Sequence, residues 1–391
     1  MKITLPTTYD EKYTEGLAEI NSTASSSSPK IKEVYGSLQS SILASARPSK
    51  YLPSPDFNKI KTHIEELKSV GIEFSYLVNA PCLGNIEYSA EGRREIEELL
   101  QKLSDCGIER MVITIPYLME IVREKFPHIE ICASSICYIS NIKMAKRFES
   151  LGVKRIIVDP DKNRNFKFLQ KLSNSVNCDI EIIANHTCIH HCTYEFYHYN
   201  NTGHGSQKTY FMNEKPYNQY NLLSCTLKKL ESPWEFLASP WIPPTDIDIL
   251  RDVGIKWIKL AGRGSSSETL LKLADAYVNK RHSNDLISLL GWCHWNNFRK
   301  TADNQILPEM KIYLDSKRLN GFIMHFLKEY KCDDGCNSCS HCKVYAKKAL
   351  SYDEKLLELY KKNLREKLNS LIEEKTNESL PKAKKHLKII S

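Results

Sequence analysis

Four cysteines fall within the eleven-residue string CDDGCNSCSHC: Cys332, Cys336, Cys339 and Cys342, separated by three, two and two residues. Thiolates this close can wrap one metal centre, because short loops let the sulfurs converge while backbone N–H groups turn toward them. Zinc held by all four thiolates fits the donor set, and so does an iron–sulfur cluster. Structural zinc usually draws its ligands as two separated pairs, whereas thiols in close series suit a cubane cluster, so the spacing favours iron and sulfide.

A second constellation is IEIIANHTCIHHCTYEFYHYN, where Cys188 and Cys192 stand three residues apart beyond a β-rich run. Cys225, in NLLSCTLKKL, follows in the same long segment and is placed to return as a third ligand. Three thiols with an open or fourth position suit an iron–sulfur site. His186, His190, His191, His198 and His204 are interleaved with these thiols, so zinc bound by cysteine and histidine is the rival. Cys106, Cys132, Cys178 and Cys293 have no partner spacing and read as small buried hydrophobes. A third feature is KWIKLAGRG. Alternation along a strand puts Lys259, Ala261 and Arg263 on one side, so two cations would face the same space. Arg263 suits a bidentate grip on a carboxylate or phosphate, while a lysine there is as well explained by a buried ion pair.

These residues need elements to position them. Eight β-rich runs begin at Lys2, Glu33, Glu73, Arg110, His128, Arg155, Ile180 and Lys256. Between most of them lie amphipathic helical patterns closed by Gly71, Gly107, Gly152 and Gly254, each followed at once by a new run. The fold class expected is α/β: a (β/α)8 TIM-like barrel with a C-terminal helical, cysteine-cluster extension. An open doubly wound sheet would show a glycine-rich loop after its first strand, and KITLPTTYDEKY has none. The barrel domain is expected over 1–313 with a cysteine-rich insertion at 187–241, and the extension over 314–391. In a barrel, Cys188, Cys192 and Lys259 end strands on the face where loops carry chemistry, and Cys82 and Cys137 follow strands on that same face. NSTASSSSP from Asn21 reads as a mobile surface loop, DSKRLNGFIMHFLKEY as a helix, and the stretch after the cysteine string as one helix reaching about Glu378.

Composition sets outer limits. The 391 residues are 41% hydrophobic and 26% charged, which excludes collagen-like and wholly disordered chains. No apolar run approaches the roughly 18 residues of a membrane span, and the N-terminal stretch lacks a signal-peptide core, so a cytoplasmic protein without membrane contact is expected. Thirteen cysteines, an odd number, then point to metal ligation and free thiols rather than to a disulfide framework. The net charge is +8, and thirteen Lys and Arg against seven Asp and Glu between Lys343 and Ser391 carry most of it. Such a tail can hold RNA or an acidic partner protein, although Lys/Glu-rich helices are commonly solvated faces.

Taken in order, NHTCIHHC, the later Cys225, and SPWIPPTDIDILRDVGIKWIKLAGR with its K-x-x-G-R signature at Lys259, Gly262 and Arg263 resemble peptidase family U32, over roughly Lys32 to Leu290. NAPCLGNIEY, with Asn79, Cys82, Asn85 and Glu87, and the tail cysteines resemble a subgroup of it. That resemblance implies oxygen-independent hydroxylation of an aromatic ring or of an RNA pyrimidine, with a 4Fe-4S cluster and a prephenate-like anionic oxygen donor. It carries the cluster to Cys188, Cys192 and Cys225. Where some members place a fourth cysteine after K-x-x-G-R this chain reads GSSSETLL, which leaves Cys82 as the substitute, and Asn185 and His186 replace the family's usual His-Gly. The catalytic candidates are Lys259, Arg263 and His186; one or two clusters are expected, with zinc the alternative at Cys332, Cys336, Cys339 and Cys342. Two other functions compete. A metal-dependent hydrolase would want a string such as H-E-x-x-H, which is absent; Glu181 and Glu195 are the nearby carboxylates, and strand and packing contexts account for them. The other is a non-catalytic module binding RNA or a partner through the basic tail.

Overall fold

The computed structural model describes residues 1–207, 219–336 and 338–373. Eight parallel strands close into a barrel in chain order: β1 (Lys2–Pro6), β2 (Lys30–Gly36), β3 (Glu73–Val78), β4 (Arg110–Ile113), β5 (Glu130–Ala133), β6 (Arg155–Ile157), β7 (Asp179–Ile183) and β8 (Trp257–Lys259). β1 pairs with both β2 and β8, which removes the sheet edges. After each of the first six strands comes one helix, α1 (Glu11–Thr23), α2 (Phe57–Ser69), α3 (Ala90–Asp105), α4 (Pro116–Lys125), α5 (Ile142–Ser150) and α6 (Phe166–Ser173). Asp56, Ser89, Asn141 and Asn165 each cap a helix by accepting a backbone N–H. Gly107 and Gly152, at φ +86° and +90°, turn the chain back toward the next strand.

The expected loop from Asn21 begins later than the serine run suggested. α1 continues to Thr23, because Ser22 and Thr23 donate their hydroxyls to the Glu19 carbonyl while Asn21 exchanges two 2.8 Å hydrogen bonds with the Ile31 backbone.

Beyond β7, the insertion holds α7 (Glu195–His204), α8 (Gln219–Glu231) and α9 (Glu235–Ala238), then α10 (Asp248–Asp252) leads into β8. After β8 come α11 (Ser267–Val278), α12 (Leu286–Leu289) and β9 (Ile312–Leu314), then α13 (Met324–Lys328), α14 (His341–Ala349), β10 (Leu350–Tyr352) and α15 (Glu354–Ile372). The helix expected around Gly321 is broken there, since that residue adopts φ +79°. The single long terminal helix is likewise split: β10 pairs antiparallel with β9, and Asp353 caps a fresh start by accepting the Leu356 N–H at 3.0 Å. The apolar core runs without a break from the barrel helices to Leu357, Tyr360 and Leu364 of α15. The basic residues after Glu373 lie outside the described residues. Among the described residues no helix is long and apolar enough to cross a membrane.

The barrel interior is layered. At the lower end Glu33, fully buried, accepts from Arg155 at 2.6 Å, Arg110 at 2.8 Å and Ser75 at 2.8 Å. Burial opposes its charge, but the two arginines outweigh that and hold its carboxyl below the usual range. Above this ionic layer, Tyr35, Leu77, Val112, Cys132, Ile157 and Ile183 form an apolar plug from six successive strands.

Candidate functional site

The upper end of β7 is tied to that of β8 by Asn185, which donates to the Ala261 carbonyl (2.9 Å) and accepts the Ala261 N–H (2.6 Å). From this fixed point the chain runs into the cysteine loop. Lys229 of α8 is buried and donates to the Thr187 carbonyl at 2.7 Å and to the Ser239 hydroxyl. Its ammonium lies within electrostatic reach of Cys188 and Cys225, and Cys192 is coupled to both thiols. Cys188, Cys192 and Cys225 thus lie within electrostatic reach of one buried cation, although their three sulfurs do not converge within 4.8 Å of one another. All three keep partial exposure, and Cys225 packs against the edge of the apolar core.

Burial raises all three thiols, Cys225 to about 12, with Glu195 adding to the effect on Cys188 and Cys192. Without a metal the group is protonated; with one, Lys229 offsets the thiolate charge. Soft sulfur donors beside a buried cation suit a thiolate-ligated iron–sulfur centre. Cys82 is not joined to them by any contact among the described residues. Its sulfur accepts the Gly84 N–H at 3.3 Å, and its carbonyl accepts from Gln207 at 2.9 Å. Cys137 is buried and donates its thiol to the Ile113 and Thr114 carbonyls. Cys132 is buried as expected, whereas Cys106, Cys178 and Cys293 remain half-buried.

His186 is buried beside Lys229 and His190; burial first, then the Lys229 charge and His190, lower it to about 3, so its imidazole is neutral. Lys259 lies deeper than its sequence pattern suggested. Its ammonium sits 3.4 Å from the centre of the Tyr35 ring, attracted to Glu181 and Glu33, with no hydrogen-bond partner. β8 ends at Lys259, and Gly262 at φ +144° interrupts the alternation, so a turn rather than strand geometry carries Arg263 to the mouth. There Arg263 donates to the Ser45 hydroxyl at 3.2 Å and faces Arg47, whose Nε is buried without a partner. Burial, then Arg47, lowers Arg263 to about 10. His198 and His294 join this group, each lowered to about 4 by burial and then by Arg47. Among the described residues neither arginine is hydrogen-bonded to a carboxylate, an arrangement that suits an anion.

Tyr199 stands between the two halves, coupled to Cys188 and Glu195 on one side and to Arg47 and Arg263 on the other. Glu195, in the first turn of α7, is raised to about 8 by burial and then by Asp161 and Asp159, which makes it a hydrogen-bond donor at neutral pH. Tyr138 follows β5 in a left-handed conformation (φ +50°), its buried hydroxyl without a partner among the described residues and its neighbours Glu195, Tyr199 and Cys188. Arg47, His294, Lys229 and Tyr138 carried no sequence signal, and Glu195 was expected to be packing.

The tail cysteines are also brought together. Cys332, Cys336, Cys339 and Cys342 line one cavity of about 200 Å3 with Arg164 and His190. Arg164 donates to the Trp241 carbonyl (2.7 and 2.9 Å) and the Leu237 carbonyl (2.7 Å), and its charge acts on Cys342 and Cys332. Burial raises Cys332 to about 11 and Cys342 to about 12, against the pull of Arg164. Among the described residues, Asp161, His190 and His191 are the group whose ligand atoms converge within 4.8 Å of one another. His191 pairs with Asp161 (3.0 Å) and with Asp333 (3.1 Å), fastening the tail to the barrel loop.

The sequence profile of peptidase family U32 matches residues 56–285. A curated relative from Methanocaldococcus jannaschii, named "Uncharacterized protease MJ1657", is 24% identical over 299 residues, covering 76% of this chain and 83% of that protein. Among solved structures, the U32 peptidase Mk0906 aligns at a TM-score of 0.48 and 16% identity over 67% of this chain and 93% of its own. FabK from Thermotoga maritima aligns at 0.31 and 7% identity over 95% of this chain and 94% of its own.

Proposed function

The chain belongs to peptidase family U32, and from that premise we propose that it is an iron–sulfur enzyme that modifies an aromatic ring or nucleobase by hydroxylation without molecular oxygen. The observation that carries this reading is the approach, on the loop face of the barrel, of three half-buried thiols to a pair of half-buried arginines that have no carboxylate partner among the described residues. Cys188, Cys192 and Cys225 would hold the cluster, which when bound supplies an iron able to polarise an oxygen donor or to exchange electrons.

The protein's own residues do the rest. Arg47 and Arg263 bind an anionic donor of prephenate-like chemistry, with neutral His198 and His294 as hydrogen-bond partners. Tyr199 and Tyr138 wall the space between anion and thiols and exclude water from it. Glu195 donates a hydrogen bond from its protonated carboxyl, and Lys229 balances the thiolates. Lys259 stabilises this mouth from below through the barrel's ionic layer. Cys82 is the proposed fourth ligand, and a position left open to the donor is the alternative.

Anaerobic purification followed by iron and sulfide analysis tests the reading. Brown protein that loses iron in Cys188→Ala, together with substrates that gain one oxygen atom, is the expected result. Colourless, zinc-loaded protein would reject it. The convergence of Asp161, His190 and His191 favours a second reading, a metal-dependent hydrolase. Cleavage of a peptide panel by metal-replete protein, abolished in Glu195→Ala, would install that reading instead.

A further inference from the structure

We propose that Cys332, Cys336, Cys339 and Cys342 hold a second iron–sulfur cluster, which relays single electrons to the centre at the barrel mouth. All four thiols line one cavity, and its volume of about 200 Å3 exceeds what one ion requires, a single water taking only about 30 Å3. Zinc at about 2.3 Å from each sulfur would draw the four sulfurs into mutual contact. Among the described residues they do not meet the 4.8 Å spacing that Asp161, His190 and His191 meet. The buried guanidinium of Arg164, contributed by the barrel, supplies countercharge beside Cys332 and Cys342.

A purely structural knot is a poor account of this placement. All four ligands come from eleven consecutive residues, so a metal there closes only short loops and cross-links no distant segments. The loop is instead held against the barrel's chemistry. Asp333 receives Lys162 at 2.9 Å and His191 at 3.1 Å, and the Tyr330 hydroxyl donates to the Asp161 carbonyl at 3.1 Å. His190 and His191, which line the cavity, are two of the three residues between Cys188 and Cys192. Lys229 lies within electrostatic reach of Arg164 on the tail side and of Cys188 and Cys225 at the mouth.

The step is electron transfer alone. A low-potential one-electron carrier of the ferredoxin or flavodoxin class is oxidised, the tail cluster takes the electron on its iron, and it passes to the mouth centre; no bond forms or breaks and no proton moves. The relay rests on the function proposed above, whereas occupancy of the tail site does not. The test uses the full chain purified without oxygen, with iron, sulfide and zinc assayed in wild type, Cys336→Ala/Cys339→Ala and Cys188→Ala/Cys192→Ala. Each double variant should keep about half the wild-type iron, and dithionite-reduced wild type should show an electron paramagnetic resonance spectrum broadened by spin coupling, absent from both variants. Should the tail variant fail to fold, iron retained by the Cys188→Ala/Cys192→Ala protein still locates a cluster at the tail. Iron lost entirely in that protein, or zinc in place of iron there, overturns the tail cluster and leaves the mouth centre standing. Iron lost only through the tail variant defeats the mouth centre instead, and wild-type signals that merely sum those of the variants overturn the relay.

Discussion

Arg263 and Tyr138 make different contributions, and their substitution separates binding from turnover. A charged hydrogen bond is worth about 1.5–3 kcal/mol, so Arg263→Gln should raise KM for the anionic substrate by roughly tenfold to a hundredfold at unchanged iron content. Arg263→Lys should recover little of this, because the lysine lacks the planar fork. Steady-state kinetics beside iron analysis checks both. Tyr138 bears a buried hydroxyl with no partner among the described residues, in a backbone conformation uncommon for a side chain of its size. Tyr138→Phe should leave thermal stability unchanged or slightly raised while lowering kcat, since the lost group has nothing to bond until substrate arrives. A drop in melting temperature would instead make that hydroxyl part of the packing.

At the scale of elements, the strands position the site through the layers beneath it. Glu33 on β2 meets Arg155 on β6 and Arg110 on β4 across the barrel floor. Glu33→Gln leaves two buried or half-buried guanidiniums short of a partner, and the cost should be about 3–5 kcal/mol in denaturant unfolding. Because the folded-state carboxyl is held below its usual range, its contribution is present above the ordinary carboxylate pKa and is lost as pH falls through the lower folded value. The Glu33→Gln protein should therefore lose less stability than wild type over that acidic interval, and denaturation at stepped pH values measures it. The strands themselves were legible as short β-rich runs, four of which directly follow an amphipathic helix closed by glycine. The break at Gly321 and the strand at Leu350–Tyr352 were not, since the pairing of β9 with β10 is a contact across many residues that leaves no local pattern.

As a whole molecule, the extension behaves as part of the barrel's core. Leu357, Tyr360 and Leu364 of α15 are buried, Asn363 donates to the Phe298 carbonyl at 2.6 Å, and Arg365 pairs with Glu231 of α8 at 2.7 Å. Truncation after Leu350 should cost about 5 kcal/mol or more, at roughly 1.5–3 kcal/mol for each large apolar side chain removed. A thermal melt should show a strongly destabilised protein. Truncation after Glu373 keeps every one of these contacts, and it is the right variant for asking whether the basic terminus binds RNA or a partner protein: loss of binding with iron content intact would assign it docking.

Sequence by itself determined the eight strands, the closure of the helices, the two cysteine groups and the presence of Arg263, because each is written in residues close together along the chain. Only the tertiary structure decided what surrounds them. Arg47 follows β2, Arg164 follows β6, Lys229 lies on α8 and His294 beyond α12, and no periodicity links such distant positions. It likewise sank Lys259 beneath Tyr35, since burial and charge pairing depend on which elements the closed barrel brings face to face.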